Sequence, residues 1–212
     1  LKVPSAHFVG HSFGGPVIFE LWSHRPDLLR SITLINTFAS NPIKGMFGLD
    51  IIEPLYHQIR SQYERQPELW QSLWRSCVYN PVSMRLAALA GGFNLKLTHF
   101  KDIEIYARGV AHMELDSFLE LFDSLMKFDG SSILPTITVP TLVVAGENDR
   151  ITPLPFQRKI HEAIPGSEWL EIPYGSHCSQ LDFPDYLNLK LSAFISQVEQ
   201  SIGGGSSPAP RR

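Results

Sequence analysis

Cysteine is nearly absent: the 212 residues hold only two, Cys77 and Cys178. Their spacing fits neither a metal-ligand pattern nor a dithiol redox motif. Two free thiols are expected, with a single disulfide between them as the alternative. Long apolar runs are missing as well. No stretch approaches the ~18 residues that a membrane-spanning helix needs, and no secretory signal is visible. A cytoplasmic protein without a membrane partner is therefore expected. Lys and Arg never run more than two together, and the formal net charge is −3. That balance gives no electrostatic footing for nucleic acid. Internal repeats are lacking too, which removes solenoids and propellers.

What is present suits a globular domain. Apolar residues make up 43% of the chain and charged residues 18%, enough for a real core. Residues 6–9, 31–36, 141–145 and 168–172 read as short strands. The unbroken β-branched and leucine content of the second and third marks strands buried on both faces. Helices are predicted from Phe13 to about Ser23, with Val17, Ile18, Leu21 and Trp22 on one face, and from Pro184 onward. Another runs to about Ala163, with Thr152 and Pro153 as N-cap and first position. Strands alternating with helices predict an α/β fold whose mostly parallel sheet is flanked by helices.

Between Asn41 and about Gly130 the pattern changes to aromatic and leucine residues at helical spacing, as in "ELWQSLWRSCVY" and "SFLELFDSLMKF". The expected division is core over 1–40, a helical lid or cap over 41–110, and core again over 111–202, with the last inserted helix returning to the sheet. The Gly/Ser/Pro tail at 203–212 is expected to be disordered.

The chemistry gathers on three loops. "VGHSFGG" sets a G-x-S-x-G pattern, Gly10 to Gly14, between an apolar strand and an amphipathic helix. Three fixed positions arise by chance in about 7 of 100 chains of this length, so the strand–helix context carries the weight. The turn is expected to need bare backbone at Gly10 and Gly14, where strand and helix come close, and to lift the Ser12 hydroxyl to the helix N-terminus. A serine needs a general base, and the base an orienting acid. Asp149 follows the third strand and His177 the fourth, on the loops at strand carboxyl ends where open α/β sheets carry their sites. The order Ser, Asp, His is the one nucleophile-elbow enzymes use.

Together with "VPTLVVAGENDRITP" and "IPYGSHCSQLDFPDYLNLKLSAFI", the elbow resembles the α/β-hydrolase superfamily, in its esterase-like and haloperoxidase-like branch with a helical lid. The resemblance runs from Ala6 to Gln200 and is vaguest in the lid. It implies Ser12 as nucleophile, His177 as base, Asp149 as the acid behind it, and the backbone N–H of Phe13 as one oxyanion donor. It also implies four strands and two helices ahead of the elbow, and a loop carrying a second oxyanion donor. This sequence opens at Leu1 without them, so an incomplete α/β-hydrolase fold is expected, the carboxyl-terminal part of a longer hydrolase.

Other residues have plainer readings. Asp149 could be only a turn residue, with Glu147 as the fallback acid. His7 and His11 flank the elbow as packing or pocket-wall residues. Trp70 and Trp74, four apart, are expected on the lid's inner face, as lid core or as a wall of the substrate pocket. Cys178 adjoins His177, but neighbouring loop side chains diverge. The groups of "HMELD" at His112 do not share a helical face, so no metal or other cofactor is expected. The implied activity is hydrolysis of an ester, thioester or related acyl bond in a small apolar molecule. A carbon–carbon bond hydrolase with the same triad and a ligand-binding receptor on a hydrolase scaffold are the alternatives. Oligomeric state is not legible.

Overall fold

The computed structural model describes residues 3–78, 80–87 and 92–203. Strands β2 (Leu29–Ile35) and β3 (Thr141–Gly146), the two with unbroken apolar sequences, are buried almost throughout. They form the centre of a four-stranded sheet in the order β1-β2-β3-β4, with every neighbouring pair parallel. β1 (Ala6–His11) and β4 (Glu168–Ile172) are the edges and are less covered; Val9 on β1 is 48% exposed.

Successive strand residues point to opposite faces, and two cores result. On one face Ile32, Leu34 and Val143 meet Phe19 and Trp22 of α1 (Gly14–His24) and Ile160 of α7 (Leu154–Ala163). On the other, Ile35, Leu142 and Val144 meet Leu187, Phe194 and Val198 of α9 (Pro184–Gly203), which follows the short α8 (Ser179–Asp182). Helices on both faces are what parallel strands require, because each crossover must leave the sheet and return. The buried face of α1 differs from the expected one: Gly15, Ile18, Phe19 and Trp22 face the sheet, while Val17 is 53% exposed. Among the described residues no helix is long and apolar enough to cross a membrane. Cys77 is exposed and Cys178 buried, both as free thiols.

Among the described residues five α-helices intervene between β2 and β3: α2 (Ile52–Arg65), α3 (Pro67–Val78), α4 (Pro81–Ala87), α5 (Phe100–Ala111) and α6 (Leu115–Lys127). α6, expected to return to the sheet, packs elsewhere. Its Leu115 and Leu119 share a separate core with Tyr56, flanked by Trp70, Trp74, Phe118 and Phe122. The stripe at 115, 118, 119, 122 and 126 fixes that α6 has one apolar face. Neighbours on α2 and α3 take that face, and the Tyr56 hydroxyl donates to the Leu119 carbonyl at 2.8 Å. The helical layer thus continues past residue 110 to about 127. Beyond Gly203 the tail expected to be disordered lies outside the described residues. Leu119 is 2% exposed, so Leu119→Ala is expected to cost about 2–5 kcal/mol, measured by denaturant unfolding; a loss under ~0.5 kcal/mol would show that α6 is not packed as described.

Candidate active site

β1 ends at His11 and α1 begins at Gly14, leaving two residues to turn the chain. Ser12 makes the turn at φ 51°, a left-handed conformation that costs a side-chain-bearing residue about 1–3 kcal/mol and persists only where the surroundings enforce it. Three bonds do so. The Ser12 N–H donates to the Ile35 carbonyl at 3.0 Å, and its own carbonyl accepts from the Gly15 N–H at 3.1 Å and the Thr37 hydroxyl at 2.5 Å. A Cβ on Gly10 would lie 2.7 Å from the Gly14 carbonyl and from the Ile18 side chain. The expectation for Gly14 itself is wrong: a Cβ there would meet nothing within 4 Å. Gly10 presses on the backbone of Gly14, whose own side-chain direction points to open space. The second position that needs bare backbone is Gly15, where a Cβ would collide with the Thr37 hydroxyl oxygen.

The structure brings Ser12, His177 and Asp149 into one hydrogen-bonded row. His177 Nε2 lies 2.9 Å from Ser12 Oγ, and Nδ1 lies 3.0 Å from Asp149 Oδ2 and 3.2 Å from Oδ1. A carboxylate can only accept, so the ring proton sits on Nδ1 and the Nε2 lone pair faces the serine hydroxyl. Both His177 and Asp149 are nearly buried, at 5% and 4% exposure. Burial alone would raise the Asp149 carboxyl. The charge and hydrogen bond of His177 and the donors of Thr152 outweigh it and hold the group below the ordinary carboxylate range.

Much of this support was invisible in the sequence. Asn36, fully buried at the end of β2 with φ 47°, donates through Nδ2 to Asp149 Oδ2 at 3.0 Å and to the Ser176 carbonyl at 2.7 Å. Thr152, expected as an N-cap, turns its hydroxyl to Asp149 Oδ2 at 2.7 Å instead; α7 begins two residues later. Gln157 Nε2 adds a bond to the same oxygen at 3.2 Å, and the N–H groups of Ile151 and Thr152 donate to Oδ1, each at 2.9 Å. Only a polar residue closing the apolar run of β2 hinted at Asn36.

The remaining candidates separate. His11 Nε2 donates to the His177 carbonyl at 2.8 Å, with the two rings 4.9 Å apart. It braces the histidine loop and is not among the residues lining the cavity over Ser12. Burial, then the neighbouring His177, lower its pKa to about 4. Trp70 and Trp74 line a different cavity, inside the helical layer, and not the one above Ser12. His7 bonds Ser31 and Glu199, and Glu147 accepts the Tyr174 N–H at 2.9 Å, which commits it to a turn. Cys178 does line the Ser12 cavity, but burial, with Asp182 and Asp149 nearby, pushes its thiol up to about 12. Among the described residues no three His, Cys, Asp or Glu side chains group as metal ligands.

The Ser12 cavity measures about 580 Å³ and opens toward the helical layer, with walls that include Phe13, Phe38, Phe93, Tyr106 and Phe118. Within it, a serine hydroxyl beside an imidazole whose far nitrogen is held by a carboxylate is a proton-relay geometry.

Residues 1–184 match the family described as the alpha/beta hydrolase fold. The chain belongs to the α/β-hydrolase family. Among relatives of this α/β hydrolase, the RutD protein of Pseudomonas syringae pv. syringae (strain B728a), provisionally named a carbamate hydrolase, is 28% identical over 204 residues. That match covers 92% of this chain and 70% of the relative. A thermophilic esterase from Thermogutta terrifontis superposes with TM-score 0.64 at 18% identity, over 92% of this chain and 66% of the other. A bromoperoxidase from Bacillus anthracis gives 0.67 at 17%, over 92% and 68%. At those identities the two structures show the fold alone. The chain thus spans about two thirds of the length of the proteins it matches.

Two outcomes are expected for this α/β hydrolase. Gly14→Ala should leave the melting temperature within a few degrees of wild type, whereas Gly10→Ala and Gly15→Ala should lower it strongly or prevent folding; equal tolerance at all three would refute the elbow geometry. His11 is neutral when folded, and its folded pKa of about 4 lies below the ordinary 6.5. The unfolded chain therefore binds more protons in that window, and stability falls as pH drops from about 6.5 through 4. His11→Gln, whose amide can still reach the His177 carbonyl, should flatten this part of the pH dependence in thermal unfolding. A curve parallel to wild type would remove His11 as its source.

Proposed function

We propose that this α/β hydrolase cleaves an ester, thioester or related acyl bond of an apolar substrate by way of an acyl-enzyme on Ser12. The observation that carries this reading is the unbroken row from Ser12 Oγ through the His177 ring to Asp149, at 2.9 and 3.0 Å. In the first step Ser12 Oγ bonds to the substrate carbonyl carbon while His177 Nε2 takes the serine proton. Asp149 holds the ring and offsets its positive charge. The tetrahedral oxyanion is met by the Phe13 N–H, which makes no bond to another described residue and lies where α1 starts, so the helix dipole adds to it. Collapse breaks the bond to the leaving group, which departs with the proton from His177. Water then attacks the acyl carbon, gives its proton to His177, and the acid leaves as Oγ recovers that proton.

The cavity favours an apolar acyl group: it has about 580 Å³ and a wall of aromatic and aliphatic side chains, within the usual range for small-molecule sites. A carbamate, suggested by the name of the RutD relatives, is the same kind of acyl centre, but a small polar carbamate would leave most of that wall unfilled. A carbon–carbon bond hydrolase would use the same serine and differ in its products. A receptor-like role would bind such ligands with little turnover, and rate measurements on several acyl substrates separate it.

The direct test is reaction with a fluorophosphonate, in which the Ser12 oxygen bonds to phosphorus and fluoride leaves. One adduct per chain by intact mass is expected, abolished in Ser12→Ala. Hydrolysis of an activated ester should fall by at least ~10³-fold in Ser12→Ala and in His177→Ala. Turnover undiminished in Ser12→Ala, or an adduct on another residue, would overturn the reading.

A further inference from the structure

Two cavities in this protein share a wall. The first is the cavity of about 580 Å³ over Ser12 and His177. The second, about 280 Å³, lies within the helical layer among α2, α3 and α6. Phe118 and Phe122 line both. They stand one turn apart on α6, and their ring centroids are 4.8 Å apart. Phe118 also packs against Trp74 at 4.6 Å and Phe122 against Tyr56 at 5.8 Å, two residues that line only the second cavity. Each of the two phenylalanines therefore has the Ser12 cavity on one side and a wall of the second cavity on the other.

The second cavity has a definite chemistry. Its lining is aliphatic and aromatic apart from the Tyr56 hydroxyl, the Cys77 thiol and the indole N–H groups of Trp70 and Trp74, of which that of Trp74 donates to the Met113 carbonyl at 3.0 Å. The hydroxyl is already committed to the Leu119 carbonyl at 2.8 Å. With the Trp70 indole N–H as its one uncommitted strong donor and no carboxylate, amide or basic side chain in the lining, the space suits hydrocarbon far better than a charged or strongly polar head. Each methylene that leaves water there strengthens binding roughly fourfold. The shared rings need only turn about their side-chain bonds to join the two spaces, a small motion compared with moving a helix.

We propose that the second cavity receives the far end of a long, flexible alkyl or acyl chain whose reactive group lies at Ser12. Phe118 and Phe122 are the doorway between the two spaces. This rests on the proposed acyl transfer at Ser12 and sharpens it: the substrates are long-chain acyl compounds, and the doorway sets the chain length at which the second space begins to contribute. Specificity in this α/β hydrolase then resides in α6, far in sequence from the reacting groups. A Leu73→Trp substitution, which fills the second cavity from α3, shortens the chain length at which kcat/KM stops rising.

Cys77 supplies a readout that does not depend on turnover. It lines the second cavity and is exposed, whereas Cys178 is buried with its thiol pushed up to about 12. Maleimide at neutral pH therefore reports on Cys77. The protein is first labelled at Ser12 with ethyl, octyl or dodecyl fluorophosphonate, and the rate of maleimide addition is followed by intact mass. The dodecyl adduct is expected to slow Cys77 about tenfold or more, because the tethered chain occupies the second cavity and shields the thiol. The ethyl adduct should leave the rate at that of unlabelled protein. Complete Ser12 labelling with equal Cys77 rates for ethyl and dodecyl overturns the doorway and leaves the acyl-transfer reading standing. Failure of Ser12 to take either label overturns that reading and the doorway with it.

Discussion

A buried carboxylate that pairs with no described Lys or Arg side chain has to be answered by other donors, and Asp149 is where the loops of the candidate site answer it. Its side chain is fully shielded in the pair with His177. Donors come from the end of β2 (Asn36), from its own loop (Ile151, Thr152), from α7 (Gln157) and from the loop after β4 (His177). Removing any of them leaves part of a charge unpaired in a low-dielectric site, at about 1–3 kcal/mol or more. The same carboxylate fixes the tautomer of His177. The interaction that registers three loops against one another is thus the one on which the proposed proton relay depends, and stability and function favour the same geometry.

Three of the four strands that deliver this geometry end in one way. Ser12 follows β1, Asn36 follows β2 and Tyr174 lies two residues beyond β4, and all three have positive φ without being glycine. A single left-handed residue bends the chain sharply over the rim of a parallel sheet. The side chains that follow then converge instead of continuing outward. At Ser12 and Asn36 the bent residue itself carries the polar group, so its strain and its hydrogen bonds are inseparable. The strain is offset by contacts from other segments, such as Thr37 onto the Ser12 carbonyl and Ser179 onto the Asn36 amide oxygen.

This division explains what the sequence discloses and what it withholds. Strand positions follow from unbroken apolar runs, because burial on both faces leaves a mark on every residue. Ser12, Asp149 and His177 are legible as candidates because each lies shortly past a strand, in an order with chemical meaning. Asn36 is not, since its role comes from register with a segment more than a hundred residues away; Thr152 and Gln157 lie close to Asp149 in sequence, but a buried hydroxyl or amide leaves no local pattern. The glycines show the same limit. G-x-S-x-G marks Gly14, yet the close contact belongs to Gly15, because only the packing of Thr37 decides which α-carbon must be bare. For α6, periodicity gives an apolar stripe but not its partner, and the stripe faces α2 and α3 instead of the sheet.

A second buried carboxylate ties the helical layer to the same loops. Asp182 Oδ2 accepts the Ser176 N–H at 2.6 Å and the Ser176 hydroxyl at 2.7 Å. Its Oδ1 accepts the Thr98 hydroxyl at 2.5 Å and the Asn94 N–H at 3.3 Å, both from the segment ahead of α5. Ser176 is the residue before His177, and its carbonyl is held by Asn36. The histidine loop is therefore gripped from the sheet side through Asn36 and Asp149, and from the helical side through Asp182. A helical layer displaced from its seat would have to give up Thr98 and Asn94, leaving Asp182 half-satisfied beside His177. Hydrogen bonds of this kind are short-ranged, so the coupling is steep in distance. The position of the layer that walls the cavity and the alignment of His177 are thereby made into one variable.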